Sequence, residues 1–131
     1  MLGIGGFATL IQVFDMPTSL AFYRDVLGFQ VISDAPEDGR CDWVWLKSGE
    51  SELMLNTAYE ADDRPPAPDL ARIAAHADVT LYFGCDNVES AHTELRARGI
   101  ATREPFVTGY GMKQLYLKDP DGYEICLQEP V

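Results

Sequence analysis

The 131-residue chain carries one pattern twice. Glu52-Leu53-Met54-Leu55-Asn56 and Glu124-Ile125-Cys126-Leu127-Gln128 match in residue type, position by position, at an offset of 72. The same offset lays Ala8 to Asp15 on Thr80 to Asn87, so that alternating apolar positions coincide and both stretches end at an Asx residue. A repeat of this length means that one supersecondary unit is used twice, and every element must then appear as a pair.

Each copy opens with an alternating strand that runs into a helix. Asp15-Met16-Pro17-Thr18 supplies N-terminal helix chemistry in the first and Asp86-Asn87-Val88-Glu89 in the second, with Gly28 and Gly99 as the matching stops. Alternation predicts further strands near 29–34, 42–47 and 51–56, then near 100–104, 112–118 and 123–128. Between the copies, Asp62-Asp63-Arg64-Pro65-Pro66 can neither pair inside a sheet nor continue a helix, so 61–68 reads as linker, with a short helix over 70–75 behind it. The expected organisation is a single domain over 1–131: repeat 1 at about 7–57, a connection at 58–77 and repeat 2 at about 78–129.

Composition narrows the partners. A formal net charge of -11 opposes nucleic acid and anionic membranes, which need a basic surface. No apolar run reaches membrane-spanning length and no charged segment precedes an apolar stretch at the N-terminus, so the expected address is cytoplasmic. Cys41, Cys85 and Cys126 lack paired spacing and read as reduced thiols. Gly3-Ile4-Gly5-Gly6 lacks the strand and helix of a phosphate loop and reads as a flexible or exchanged arm.

The run from Asp15 to Phe29, with Ala21-Phe22-Tyr23-Arg24-Asp25-Val26-Leu27-Gly28-Phe29 at its end, resembles the first-helix signature of the vicinal oxygen chelate superfamily of glyoxalases, bleomycin-resistance proteins and extradiol dioxygenases. Tyr116-Leu117-Lys118-Asp119-Pro120-Asp121-Gly122-Tyr123 resembles that family's closing hairpin. The resemblance implies an α+β fold in which two βαβββ repeats form a cupped, barrel-like mixed sheet. In metal-dependent members the ligands stand on the first and fourth strands of each unit; carried over by motif, those places fall on Ala8, Met54, Thr80 and Cys126. That set cannot supply the three or four converging ligands of a catalytic divalent ion, so no metal or other cofactor is expected.

Strand phase then names the face these positions share. Gln12, Glu52, Asn56, Tyr82, Glu124 and Gln128 point the same way, and Ile11, Val13, Leu53, Leu55, Leu81, Phe83, Ile125 and Leu127 point to the helix side. The expected ligand-binding set is Trp43, Trp45, Asn56, Tyr82, Tyr110, Met112, Gln114, Tyr116, Glu124 and Cys126, with Phe106 and Tyr110 on a loop able to close over it. This lining of aromatic rings, amides and carboxylates suits a flat or cationic organic molecule; the competing reading is that Trp43 and Trp45 fill the space or a dimer interface. His76 and His92 read as partly exposed surface residues.

The resistance branch captures its ligand stoichiometrically as homodimers, so the resemblance implies a small-molecule-binding homodimer with no catalytic residue and, as an example of ligand, an antibiotic. The alternative it leaves open is a metal-dependent lyase, isomerase or dioxygenase in which Glu52, Glu124, Gln12 or His76 supplies the ligands.

Overall fold

A computed structural model describes residues 1–131. The chain divides into two compact units, Met1–Pro66 and Ala67–Val131.

In the first unit β1 (Thr9–Val13) leads into α1 (Met16–Leu20), which continues as a π-helical stretch over Ala21–Val26. Asp15 caps α1, accepting from the Thr18 amide at 3.1 Å and the Thr18 hydroxyl at 2.5 Å. Strands β2 (Gln30–Val31), β3 (Trp43–Ser48) and β4 (Ser51–Thr57) complete a four-stranded sheet of order β1-β4-β3-β2, in which β1 and β4 are parallel and the other pairs antiparallel. One face is closed: Ile11, Val13, Val44, Leu46, Leu53 and Leu55 are buried on the helix side with Leu20, Phe22 and Tyr23. Tyr23 anchors this layer, meeting Phe22 and Phe29 edge to face at centroid distances of 5.0 and 6.2 Å.

The second unit repeats the plan after α2 (Leu70–Ala75), which Asp69 caps through the Ala71 amide. Strand β5 (Thr80–Gly84), α3 (Val88–Ala97), β6 (Phe106–Val107), β7 (Met112–Lys118) and β8 (Glu124–Pro130) follow, and the sheet order β5-β8-β7-β6 reproduces the first. Asn87 caps α3 by accepting from the Ser90 amide at 2.9 Å. Val88, Leu95, Leu115, Leu117 and Ile125 form the buried layer. Two βαβββ units of mixed sheet and helix are thus present, as the repeat requires.

Three expectations need correction. The strand expected over 100–104 does not form: Thr102 makes an isolated bridge to Leu117, and the paired segment is Phe106–Val107. Pro105 has no amide to donate, and the register slips there, since four steps from Thr102 to Phe106 face three steps from Leu117 to Gln114. Phe106 therefore sits on an edge strand and not on a loop. His92 is buried, at 9% exposure, because Val88, His92 and Leu95 form one stripe along α3.

Candidate ligand-binding face

The residues on the uncovered face of each sheet follow from register alone. In the first unit Leu10 pairs with Met54, Gln12 with Asn56, Trp43 with Asn56, Trp45 with Met54 and Lys47 with Glu52. Trp43 and Trp45 are 41% and 36% exposed, so neither indole fills a core. Asn56 donates to Gln12 Oε1 at 3.3 Å and to the Thr57 carbonyl at 3.1 Å.

The uncovered face of the second unit is organised differently. Cys126 lies between Tyr82 on β5 and Tyr116 on β7, and the two phenol oxygens are 3.1 Å apart. The thiol beneath them is fully buried, and burial pushes its pKa up. Tyr116 also donates to Gln114 Oε1 at 3.2 Å, and the Gln114 amide donates to Gln128 Oε1 at 3.0 Å and to the Tyr110 hydroxyl at 3.3 Å. The hydrogen bond to Tyr82, followed by burial, raises the Tyr116 pKa far above the usual phenol range, so the Tyr116 hydroxyl stays protonated at any physiological pH. Phe106 stacks on Tyr116 with centroids 6.0 Å apart.

Glu124, expected to offer free charge, has partners. Its Oε1 accepts from the Thr80 hydroxyl at 3.0 Å and its Oε2 faces Arg103 at 3.4 Å, while the Arg103 guanidinium lies 5.0 Å from the Tyr116 ring centre. Glu124 therefore does not offer an incoming cation a free carboxylate. Arg103 is placed by the isolated Thr102–Leu117 bridge and its own amide's bond to the Tyr116 carbonyl at 3.0 Å, outside any regular strand that alternation could mark.

Of the ten expected binding residues, Tyr82, Tyr110, Gln114 and Tyr116 form one connected network, Glu124 and Cys126 adjoin it, and Met112 begins the same strand β7. Gln114, at 2% exposure, and Cys126 lie beneath the surface and do not line it. Trp43, Trp45 and Asn56 belong to the face of the first unit. A separate recess of about 630 Å³ in that unit lies at the strand ends, where Arg64 pairs with Asp15 and covers the Phe14 ring at 5.3 Å.

The places at which metal-using relatives carry ligands do not fit a metal here. Ala8 has no donor, Met54 offers a thioether, the Thr80 hydroxyl is given to Glu124, and Cys126 is an un-ionised thiol under two tyrosines. No three His, Cys, Asp or Glu side chains are grouped to hold an ion.

With repeated βαβββ topology and this face in view, the chain belongs to the Glyoxalase/Bleomycin resistance protein/Dioxygenase superfamily, whose family model matches residues 6–127. It is 30% identical over 123 residues to the lactoylglutathione lyase of Haemophilus influenzae, covering 89% of this chain and 86% of that protein. Among solved structures it is similar to SMU.1112c, with a TM-score of 0.73, 29% identity and coverage of 97% and 99% of the two chains. TnmS3, an antibiotic binding protein from Streptomyces sp. CB03234, superposes with a TM-score of 0.68 at 26% identity over 100% of both chains. No helix is long and apolar enough to cross a membrane.

Proposed function

We propose that this protein is a metal-independent binder that captures a small, flat organic molecule on the uncovered sheet face of its second unit. The observation that carries this reading is the Tyr82–Tyr116 hydrogen bond closing over Cys126: at the place where a metal would have to sit, the chain has built an aromatic floor tied to Gln114, Gln128 and Tyr110. Such a surface gives ring contacts and a few directed polar groups, the usual composition of an organic-ligand site. The likeness to TnmS3, described as an antibiotic binding protein, makes an aromatic antibiotic a reasonable class of ligand.

The relationship to a lactoylglutathione lyase favours a second reading, a metal-dependent enzyme that draws ligands from Glu52, Glu124, Gln12 or His76. Against it, Glu124 is held by Thr80 and Arg103, and His76 is stacked on Tyr123 at 3.9 Å with its Nδ1 2.7 Å from the Asp121 carbonyl. Calorimetric titration of chelator-treated protein with nickel, manganese and zinc separates the two. The capture reading expects no stoichiometric ion and expects a hit among planar aromatic antibiotics that Tyr82→Ala weakens about tenfold. One tightly bound ion per chain would refute it.

A further inference from the structure

The charge at the edge of this face has a definite sign. A recess of about 400 Å³ runs beside Tyr116, lined by Ile100, Thr102, Arg103, Lys118 and Glu124 with apolar atoms between them. Two cations therefore stand against one carboxylate. Register places Lys118 directly opposite Glu124, yet Glu124 spends one oxygen on the Thr80 hydroxyl and the other on Arg103, and Lys118 is exposed without an ion pair. The acids nearest in sequence are occupied elsewhere. Asp119 Oδ1 accepts from the Asp121 and Tyr123 amides at 2.8 and 2.9 Å, and Glu104 meets Arg96 at 3.2 Å. Thr102 also lines the recess, but its hydroxyl is buried, so the polar groups open to an incoming molecule there are those of Arg103 and Lys118.

We propose that the molecule captured on this face carries a carboxylate, and that the anion is held in the recess between Arg103 and Lys118 while its ring lies against Tyr116. This rests on the capture reading above and adds the ligand's charge to it. The Arg103 guanidinium lies over the Tyr116 ring, 5.0 Å from its centre, and its side chain is 66% exposed, so it is held beside the ring and still open to a second carboxylate. A net charge of -11 repels anions at long range, so a preference for an anion here has to come from the recess itself.

Three probes that share one ring test the assignment: 2-naphthoate, 2-naphthamide and 2-naphthylmethylammonium, titrated calorimetrically into the full chain. Naphthoate is expected to bind about tenfold tighter than the amide, with the ammonium weakest, because hydrogen bonds to a charged group are the strong ones. Lys118→Met is expected to weaken naphthoate about tenfold and to leave naphthamide within about threefold. Arg103→Met removes one cation and frees Glu124, so it should reverse the order in favour of the ammonium. Naphthamide binding also reports that each variant is folded.

An amide or ammonium that binds as well as naphthoate in the natural chain would overturn the carboxylate assignment alone, and so would a Lys118→Met variant that keeps full naphthoate affinity. If none of the three probes binds, the assignment and the capture reading fall together.

Discussion

The two uncovered faces occupy the same places in the repeat and use them in opposite ways. Trp43 stands opposite Asn56 as Gln114 stands opposite Gln128, and Trp45 stands opposite Met54 as Tyr116 stands opposite Cys126. In the first unit those places hold indoles that are 41% and 36% exposed. In the second they hold a buried amide and a phenol tied into one network with Tyr82, Tyr110 and Gln128. The repeat has preserved backbone and core while dividing the chemistry, so that one face offers exposed indoles beside an Asn56–Gln12 pair and the other a connected polar network around a ring. Fold symmetry is therefore a poor guide to site symmetry.

The sharpest contrast lies in the last turn of each unit. Gly49 and Gly122 both have positive φ, 56° and 84°, where any side chain meets strain of about 1–2 kcal/mol. Only Gly122 is also crowded: a Cβ there would stand 2.7 Å from both Ile73 Cγ2 and the Ile73 carbonyl oxygen on α2, whereas nothing lies within 4 Å of one at Gly49. Gly122→Ala should cost about 3 kcal/mol once overpacking is added, against about 1 for Gly49→Ala. Urea denaturation of the two variants measures the difference, and equal midpoints would mean that α2 does not clamp this turn.

A smaller effect distinguishes the two faces directly. Gln114→Leu strands the Tyr116 and Tyr110 hydroxyls and Gln128 without their shared partner beneath the surface, a loss of about 2 kcal/mol. Trp43→Leu, at the matching place, removes an exposed ring and should cost under about 1 kcal/mol. Were the tryptophan variant the less stable of the two, the indoles would be packed against something, and a covered interface would replace open surface as their explanation.

What could be read in advance divides along physical lines. Strand phase is a period-2 property of the chain, so the burial of Ile11, Leu53 and Ile125 and the side on which Tyr82 and Glu124 lie were legible. The repeat made the sheet order common to both units. Arg103 was not legible, because it stands beside the isolated Thr102–Leu117 bridge and outside any regular strand, where alternation assigns no contact. The burial of Cys126 was equally hidden, since phase gives a direction and not what two neighbouring tyrosines do above it. His92 did carry a signal: Val88, His92 and Leu95 keep helical spacing, and the polar neighbours Thr93 and Glu94 masked it.

The smallest effect concerns the helix caps, where the repeat pairs Asp15 with Asn87. Burial alone would raise the Asp15 pKa, but hydrogen bonds from the Thr18 side chain and amide, together with Arg64, outweigh it and hold the carboxyl below its usual value. A depressed carboxyl contributes stability that is fully present above the unfolded-state pKa and is lost as pH falls through the folded one. The first unit should accordingly lose stability below about pH 4 through Asp15, a loss that the neutral amide of Asn87 cannot produce. Asp15→Asn should keep the cap, change neutral stability by under about 1 kcal/mol and flatten the acid limb of the urea midpoint against pH. The reverse change, Asn87→Asp, is not expected to depress a pKa to match, because Glu129 already accepts from the Val88 amide at the same helix start and would repel a second carboxylate. An acid limb unchanged by Asp15→Asn would show that another carboxylate governs it, and that the two caps are electrostatically alike despite their different residues.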